Sequence, residues 1–186
     1  MKYISSTLFA CVSIILLSGC CSTDPNRMSG GDRAMYQADY DQIKELAGDW
    51  YLVRGERLGV ELESNYDDPF MSYAVSSGGH SVIERLFVDK PNEMVSVYYL
   101  SWGQLCMDHY CSLGNQPRMT ARPTTRNEIP FKLRSVTNMA NKDELHISSH
   151  SIQFDGPDEI TVRWGATKDQ KPSGGSFYTV KREATP

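Results

Sequence analysis

The 186-residue chain has no apolar run as long as the roughly 20 residues that a membrane-crossing helix needs. It has no excess of positive charge either: 19 Lys plus Arg stand against 23 Asp plus Glu, a net charge of −4. That balance argues against a nucleic-acid binder, whose domain is normally basic. There is no internal repeat and no glycine-rich loop after a strand to cradle phosphates. Four histidines and five cysteines are present, but not at the tight spacings of a metal motif. Apolar residues are not scarce, at 40%, so bulk disorder is excluded and the length suits one domain.

The first residues read as an address. Lys2 is the only charge before a mostly apolar run over 4–17, which is the length of a signal-peptide core rather than of a spanning helix. The run ends in Leu17-Ser18-Gly19-Cys20, which resembles the lipobox of bacterial lipoproteins. That resemblance implies cleavage after Gly19 and acylation of Cys20. Cys21 stands where an inner-membrane retention signal has Asp, so the outer membrane, facing the periplasm, is the expected destination. Several acyl chains anchor a protein far more firmly than one. Residues 20–38, rich in Ser, Asp, Asn, Gly and Arg, read as a flexible tether, and the working domain is expected over 39–186.

Within that domain, Tyr40, Ile43 and Leu46 have helical spacing, so a short helix is expected over 39–47 with Asp39 as its cap. The rest reads in strand periods, over 50–57, 70–76, 81–89, 94–101, 104–112, 118–123, 129–136, 144–154, 159–166 and 176–182. Gly78-Gly79, Lys90-Pro91-Asn92, Trp102-Gly103, Asp155-Gly156-Pro157 and Gly174-Gly175 separate runs. About ten strands with short connections predict an all-β fold, an up-and-down antiparallel β-barrel with no open edge. A two-sheet sandwich is the alternative.

A short helix running into Gly48-Asp49-Trp50 resembles the Gly-x-Trp entry of lipocalin-type (calycin) barrels. The last strand resembles theirs too, and implies that Arg182 covers Trp50 as a cation–π contact worth about 0.5–2 kcal/mol. The segment His109-Tyr110-Cys111-Ser112-Leu113-Gly114-Asn115-Gln116-Pro117-Arg118-Met119 resembles the signature of a family of secreted bacterial proteins of uncharacterised function. That likeness covers most of 47–182 and implies a lipocalin-like barrel, with no activity attached. The chain departs from the pattern at Ser148, where a second His commonly follows His146 in a His-x-His.

Alternation over 104–112 puts Leu105, Met107, His109 and Cys111 on one face, mostly apolar and therefore expected inside. His146, Ser148, His150, Ile152 and Phe154 share another face expected to point inward. Arg118 is expected to join them, with Glu84 as its countercharge. The candidate ligand-binding set is therefore His109, Cys111, Arg118, His146, Glu84, Tyr98 and Trp164, with Cys20 the lipidation site. Structural roles compete for each: a hydrogen-bonded core histidine, an Arg118–Glu84 bridge, core packing for Tyr98 and Trp164, and turn geometry for Asn115 and Pro117. Cys106 and Cys111 lie five apart on one expected strand, about 16 Å, far beyond the roughly 7 Å that a disulfide spans.

A binding module ranks first: a tethered barrel holding a small, largely apolar ligand. A structural or envelope-interaction protein with a filled barrel comes second. A haem or metal protein using His109 or His146 is third, its cofactor otherwise unknown. Catalysis is last, because His109 and Cys111, two apart on a strand, stand about 6–7 Å from each other, beyond the hydrogen-bond reach of an activated thiolate.

Overall fold

In a computed structural model, residues 28–125 and 127–182 are described, so the apolar leader, Cys20 and Cys21 lie outside the described residues. The elements are α1 (Gly30–Lys44), β1 (Gly48–Arg57), β2 (Val60–Leu62), β3 (Met71–Ser76), β4 (Ser81–Leu86), β5 (Met94–Ser101), β6 (Gln104–Tyr110), β7 (Gln116–Ala121), β8 (Glu128–Thr137), β9 (His146–Phe154), β10 (Glu159–Lys168) and β11 (Lys171–Lys181). Every strand pairs antiparallel with its sequence neighbour from β3 to β11, and β1 pairs with both β3 and β11. The ring of ten strands is thereby closed. β2 is a short extra strand folded back on the end of β1. The all-β, up-and-down barrel expected from the strand periods is the fold, and all ten expected strands are present.

Closure follows from residues at the two chain ends. Trp50 is fully buried, donates from Nε1 to the Leu46 carbonyl at 2.8 Å, and carries the Arg182 guanidinium 4.7 Å above its ring. Arg182 also donates to the carbonyls of Ala47 and Glu45, both at 2.7 Å. One side chain thus ties the end of β11 to the turn between α1 and β1, and it satisfies carbonyls that the helix end leaves free.

Helix α1 begins at Gly30, not at Asp39, so residues 30–38, expected in the tether, are helical. Ser29 caps it by accepting from the Asp32 amide, a signal hidden among the polar residues of that stretch. Its apolar stripe then starts one turn earlier than expected, at Tyr36, and continues through Tyr40 and Ile43. The Tyr36 and Tyr40 hydroxyls reach the Ala121 and Gly79 carbonyls, and the helix plugs that end of the barrel.

One turn is displaced from its expected place. Gly174-Gly175 lies inside β11, and the β10–β11 hairpin turns instead at Asp169 and Gln170, both at positive φ (50° and 58°) between the paired Lys168 and Lys171. That is the two-residue turn whose twist suits a hairpin. Gly175 serves close approach rather than turning: a Cβ there would meet the Trp164 carbonyl at 2.8 Å.

Candidate functional site

The barrel interior opposite α1 holds a row of polar groups in an apolar core. Glu84 on β4 lies beside Ser96 on β5, and Ser96 lies beside His109 on β6. All three are buried. Ser96 Oγ is 3.2 Å from Glu84 Oε1 and 3.0 Å from His109 Nδ1. From the same carboxyl a second arm crosses the barrel: the Tyr98 hydroxyl is 2.6 Å from Glu84 Oε2 and 3.0 Å from His150 Nε2. His150 Nδ1 ends the chain on the Arg163 carbonyl at 3.1 Å. The Tyr73 hydroxyl, paired across from Glu84, is buried without a hydrogen-bond partner.

Trp164 roofs both histidines. Its ring stacks on His150, with centroids 3.9 Å apart, and tilts over His109 at 4.6 Å. Phe131 packs beside Tyr98 and His150 at 5.6 Å from each. In these dry surroundings charged forms are disfavoured. Burial raises Glu84 above the ordinary carboxyl range, against the lowering effect of the neighbouring Tyr98, Tyr73 and Ser96 hydroxyls. Burial lowers His109 to about 4. It lowers His150 to about 3, helped by the neighbouring His109 and opposed by the Arg163 carbonyl.

Next to His109 is a cavity of about 80 Å³, walled by Leu86, Met94, Cys111, Ile147, Trp164 and Tyr178. Leu58 and Leu113, each about half exposed, also line it and form an apolar mouth. His109 Nε2 and Trp164 Nε1, both on residues of this wall, are buried without a hydrogen-bond partner. Cys111 follows directly on β6, half-buried, with its thiol 3.9 Å from Met94 Sδ. Burial pushes that thiol's pKa up, which is the wrong direction for a nucleophile. Cys106 and Cys111 are both free thiols.

The signature segment shapes this end of the barrel. Gly114, at φ +87°, closes a turn in which its amide donates to the Cys111 carbonyl. Asn115 is buried and donates to the Leu145 carbonyl at 2.9 Å, tying the turn to the loop before β9. Leu113 and Leu145 are held against the cavity by that link.

Two expected site residues lie elsewhere. Arg118 points outward, where it is exposed and 3.8 Å from Asp108. Met119 and Ala121, apolar neighbours on β7, take the inward positions instead, so the Arg118–Glu84 pair does not form. His146 is separated from His109 by a bulge: β10 pairs Gly165 with Ser149 and Ala166 with Ile147, skipping Ser148. The extra residue flips the strand, as bulges do, so Ile147 enters the cavity wall. His146 lines a different, open groove with Leu133, Met139, Ser148 and Thr167. His109, Cys111, Glu84, Tyr98 and Trp164 do come together. Ser96 was missed, because a lone serine on a strand signals nothing until register places it between Glu84 and His109.

Among the described residues no group of three His, Cys, Asp or Glu side chains gathers as metal ligands. A haem macrocycle does not fit a cavity of about 80 Å³ without displacing wall residues such as Leu113. His109 and His146 line separate hollows. No helix among the described residues is long and apolar enough to cross a membrane.

No protein-family profile matches the chain, and no curated protein matches it. Among solved structures, the crystal structure of Rv2717c from M. tuberculosis is similar, with a TM-score of 0.46 and 15% identity over 77% of this chain and 96% of that one. The class in view is thus a closed antiparallel β-barrel, plugged at one end by a helix and carrying a small, mixed-polarity cavity at the other.

Proposed function

We propose that the protein is a lipoprotein, anchored in the outer membrane through Cys20 and facing the periplasm, whose barrel binds a small, largely apolar molecule. The observation that carries the binding reading is the cavity beside His109: mostly apolar walls that also include Arg57, an apolar mouth at Leu58 and Leu113, and two lining residues with an unpartnered polar atom. Ligand pockets are generally built this way, from apolar linings with a few placed polar groups. Its size sets the ligand's: about 80 Å³ is several-fold below the roughly 300–1,000 Å³ of pockets for drug-sized molecules. The ligand is therefore of few heavy atoms, or the end of a longer one. Membership of the secreted family with the His-Tyr-Cys-x-x-Gly-Asn-Gln-Pro-Arg-Met signature rests on 109–119 and agrees with this reading.

Native mass spectrometry of the mature chain from envelope extracts, compared with the denatured sample, tests the binding. An added mass lost on denaturation is expected. Acylation is tested separately: Cys20→Ser abolishes palmitate labelling and releases the protein from the membrane fraction, whereas unchanged fractionation defeats the anchor. A second reading has its own observation, since Tyr98, Met107, Met119 and Phe131 are buried side chains of the core and Trp102 is 89% exposed on the β5–β6 hairpin. A clean mass together with an envelope partner cross-linked at Trp102 would favour it.

A further inference from the structure

We propose that His109 Nε2 is a bare lone pair facing the cavity, and that the ligand is a neutral molecule which donates a hydrogen bond to it: a small alcohol or phenol. The inference rests on the binding reading above and adds the chemical class of the ligand. Its basis is a count of protons along the buried chain.

The count starts at the end that allows no choice. The Arg163 carbonyl can only accept, so His150 Nδ1 carries a proton. His150 is neutral in this buried setting, so its Nε2 is an acceptor and the Tyr98 hydroxyl donates to it. That uses the one Tyr98 proton. The 2.6 Å contact between Tyr98 and Glu84 Oε2 is then a hydrogen bond only if the carboxyl is protonated on Oε2 and donates. A neutral carboxyl leaves Oε1 as a carbonyl acceptor, and Ser96 supplies its donor. Ser96 has now spent its only proton, so the 3.0 Å contact with His109 requires Nδ1–H to donate to Ser96 Oγ. One arrangement satisfies all five contacts: His109 Nδ1–H to Ser96, Ser96 to Glu84, Glu84 to Tyr98, Tyr98 to His150, and His150 to the Arg163 carbonyl. An ionised Glu84 breaks it, because Tyr98 would then donate to the carboxylate and face the His150 lone pair with its own.

The neutral His109 with its proton on Nδ1 has a lone pair on Nε2, an atom buried without a partner on a residue that lines the cavity. An unpaired buried acceptor is costly. A ligand hydroxyl that reaches it from the cavity relieves it. A ketone, ether or amine lone pair would instead face the lone pair of His109. A carboxylate could pair with Arg57, which also lines the cavity, but it carries no proton for Nε2 and would set its own lone pairs against that of His109.

The test uses the mature chain with Cys20→Ser, which leaves every described residue unchanged, and has two arms. First, ¹⁵N-detected NMR of the histidine side chains reads which nitrogen of His109 is protonated at pH 7; a proton on Nδ1 is expected. Second, calorimetry with phenol, toluene and pyridine compares a donor, an apolar analogue and an acceptor of like size. Phenol is expected to bind about tenfold more tightly than toluene, and pyridine more weakly than either. His109→Phe removes the phenol advantage while keeping the wall apolar. A proton on Nε2, or pyridine binding as well as phenol, overturns the ligand class and leaves the binding reading standing. Equal affinity for phenol and toluene overturns it as well, because a trapped water then satisfies Nε2. If none of the three binds, the binding reading itself fails.

Discussion

The Tyr98 hydroxyl is held 2.6 Å from Glu84 Oε2 in the dry centre of the barrel, on neighbouring strands β5 and β4. A carboxyl so placed must either find a countercharge or keep its proton. None of the described cations reaches it; its neighbours are Tyr98, Ser96 and Tyr73. Burial raises Glu84 above its ordinary range, and in the proton order proposed above it is a neutral hydrogen-bond hub.

A neutral hub can be replaced by an amide. Glu84→Gln is expected to cost no more than about 1 kcal/mol, because its NH₂ donates to Tyr98, its oxygen accepts from Ser96, and its second proton faces the unpartnered Tyr73 hydroxyl. Glu84→Leu strands Tyr98 and Ser96 and is expected to cost about 2–4 kcal/mol. Urea unfolding of the two variants checks the contrast; equal losses would mean that Glu84 carries a charge.

Acid stability follows from the two histidines. His109 and His150 bind protons near 6.5 when unfolded but only near 4 and 3 when folded. Their contribution is fully present above pH 6.5 and is lost as pH falls toward those values, at about 1.4 kcal/mol per pH unit for each. Glu84 acts oppositely: its folded pKa lies above 4.5, so its contribution weakens as pH rises past 4.5. Between pH 6.5 and 4.5, His109→Phe therefore flattens the slope by about 1.4 kcal/mol per unit, and Glu84→Gln steepens it. Unfolding curves at pH 7, 6 and 5 read both changes.

Arg182 is expected to carry measurable stability at the helix-plugged end. Arg182→Ala removes the guanidinium from Trp50 and from two carbonyls, with an expected cost of about 1–3 kcal/mol. Arg182→Lys keeps the charge but not the planar fork, so it recovers only part of that loss. Thermal melts of the three proteins decide; equal melting temperatures would show that ring closure does not depend on this side chain.

Cys111 offers a readout of cavity occupancy. Its thiol is half-buried, raised in pKa by burial and on the cavity wall, so iodoacetamide is expected to modify it slowly. Saturating phenol is expected to slow it further, several-fold. Mass-spectrometric time courses check this, and fast modification unaffected by phenol would place the thiol outside the occupied space.

Much of the fold was legible because its signals are local. Period-two alternation marked ten strands, and Leu105, Met107 and His109 share the inner face that their pattern announced. Trp102-Gly103 turns where its residues allow positive φ, at 53° and 89°. Trp50 and Arg182 meet as the lipocalin-like ends implied. The start of α1 was less legible because Gly30, Gly31 and Asp32 look like tether until Ser29 caps them.

The site depended on relations that alternation does not encode. Strand register placed Glu84, Ser96 and His109 in one row, and ring closure brought Tyr98 on β5 against His150 on β9, 52 residues away. A single skipped residue at Ser148 sent His146 to another groove and Ile147 to the cavity. Arg118 turned outward because Met119 and Ala121 hold the inward positions on the same strand. The sequence by itself thus determined the strands, most of their turns and the inner face of β6, since steric alternation and turn chemistry act between neighbours. Only the closed barrel decided which buried polar groups meet, because that depends on register and bulges, where one residue's shift reverses the facing of a strand.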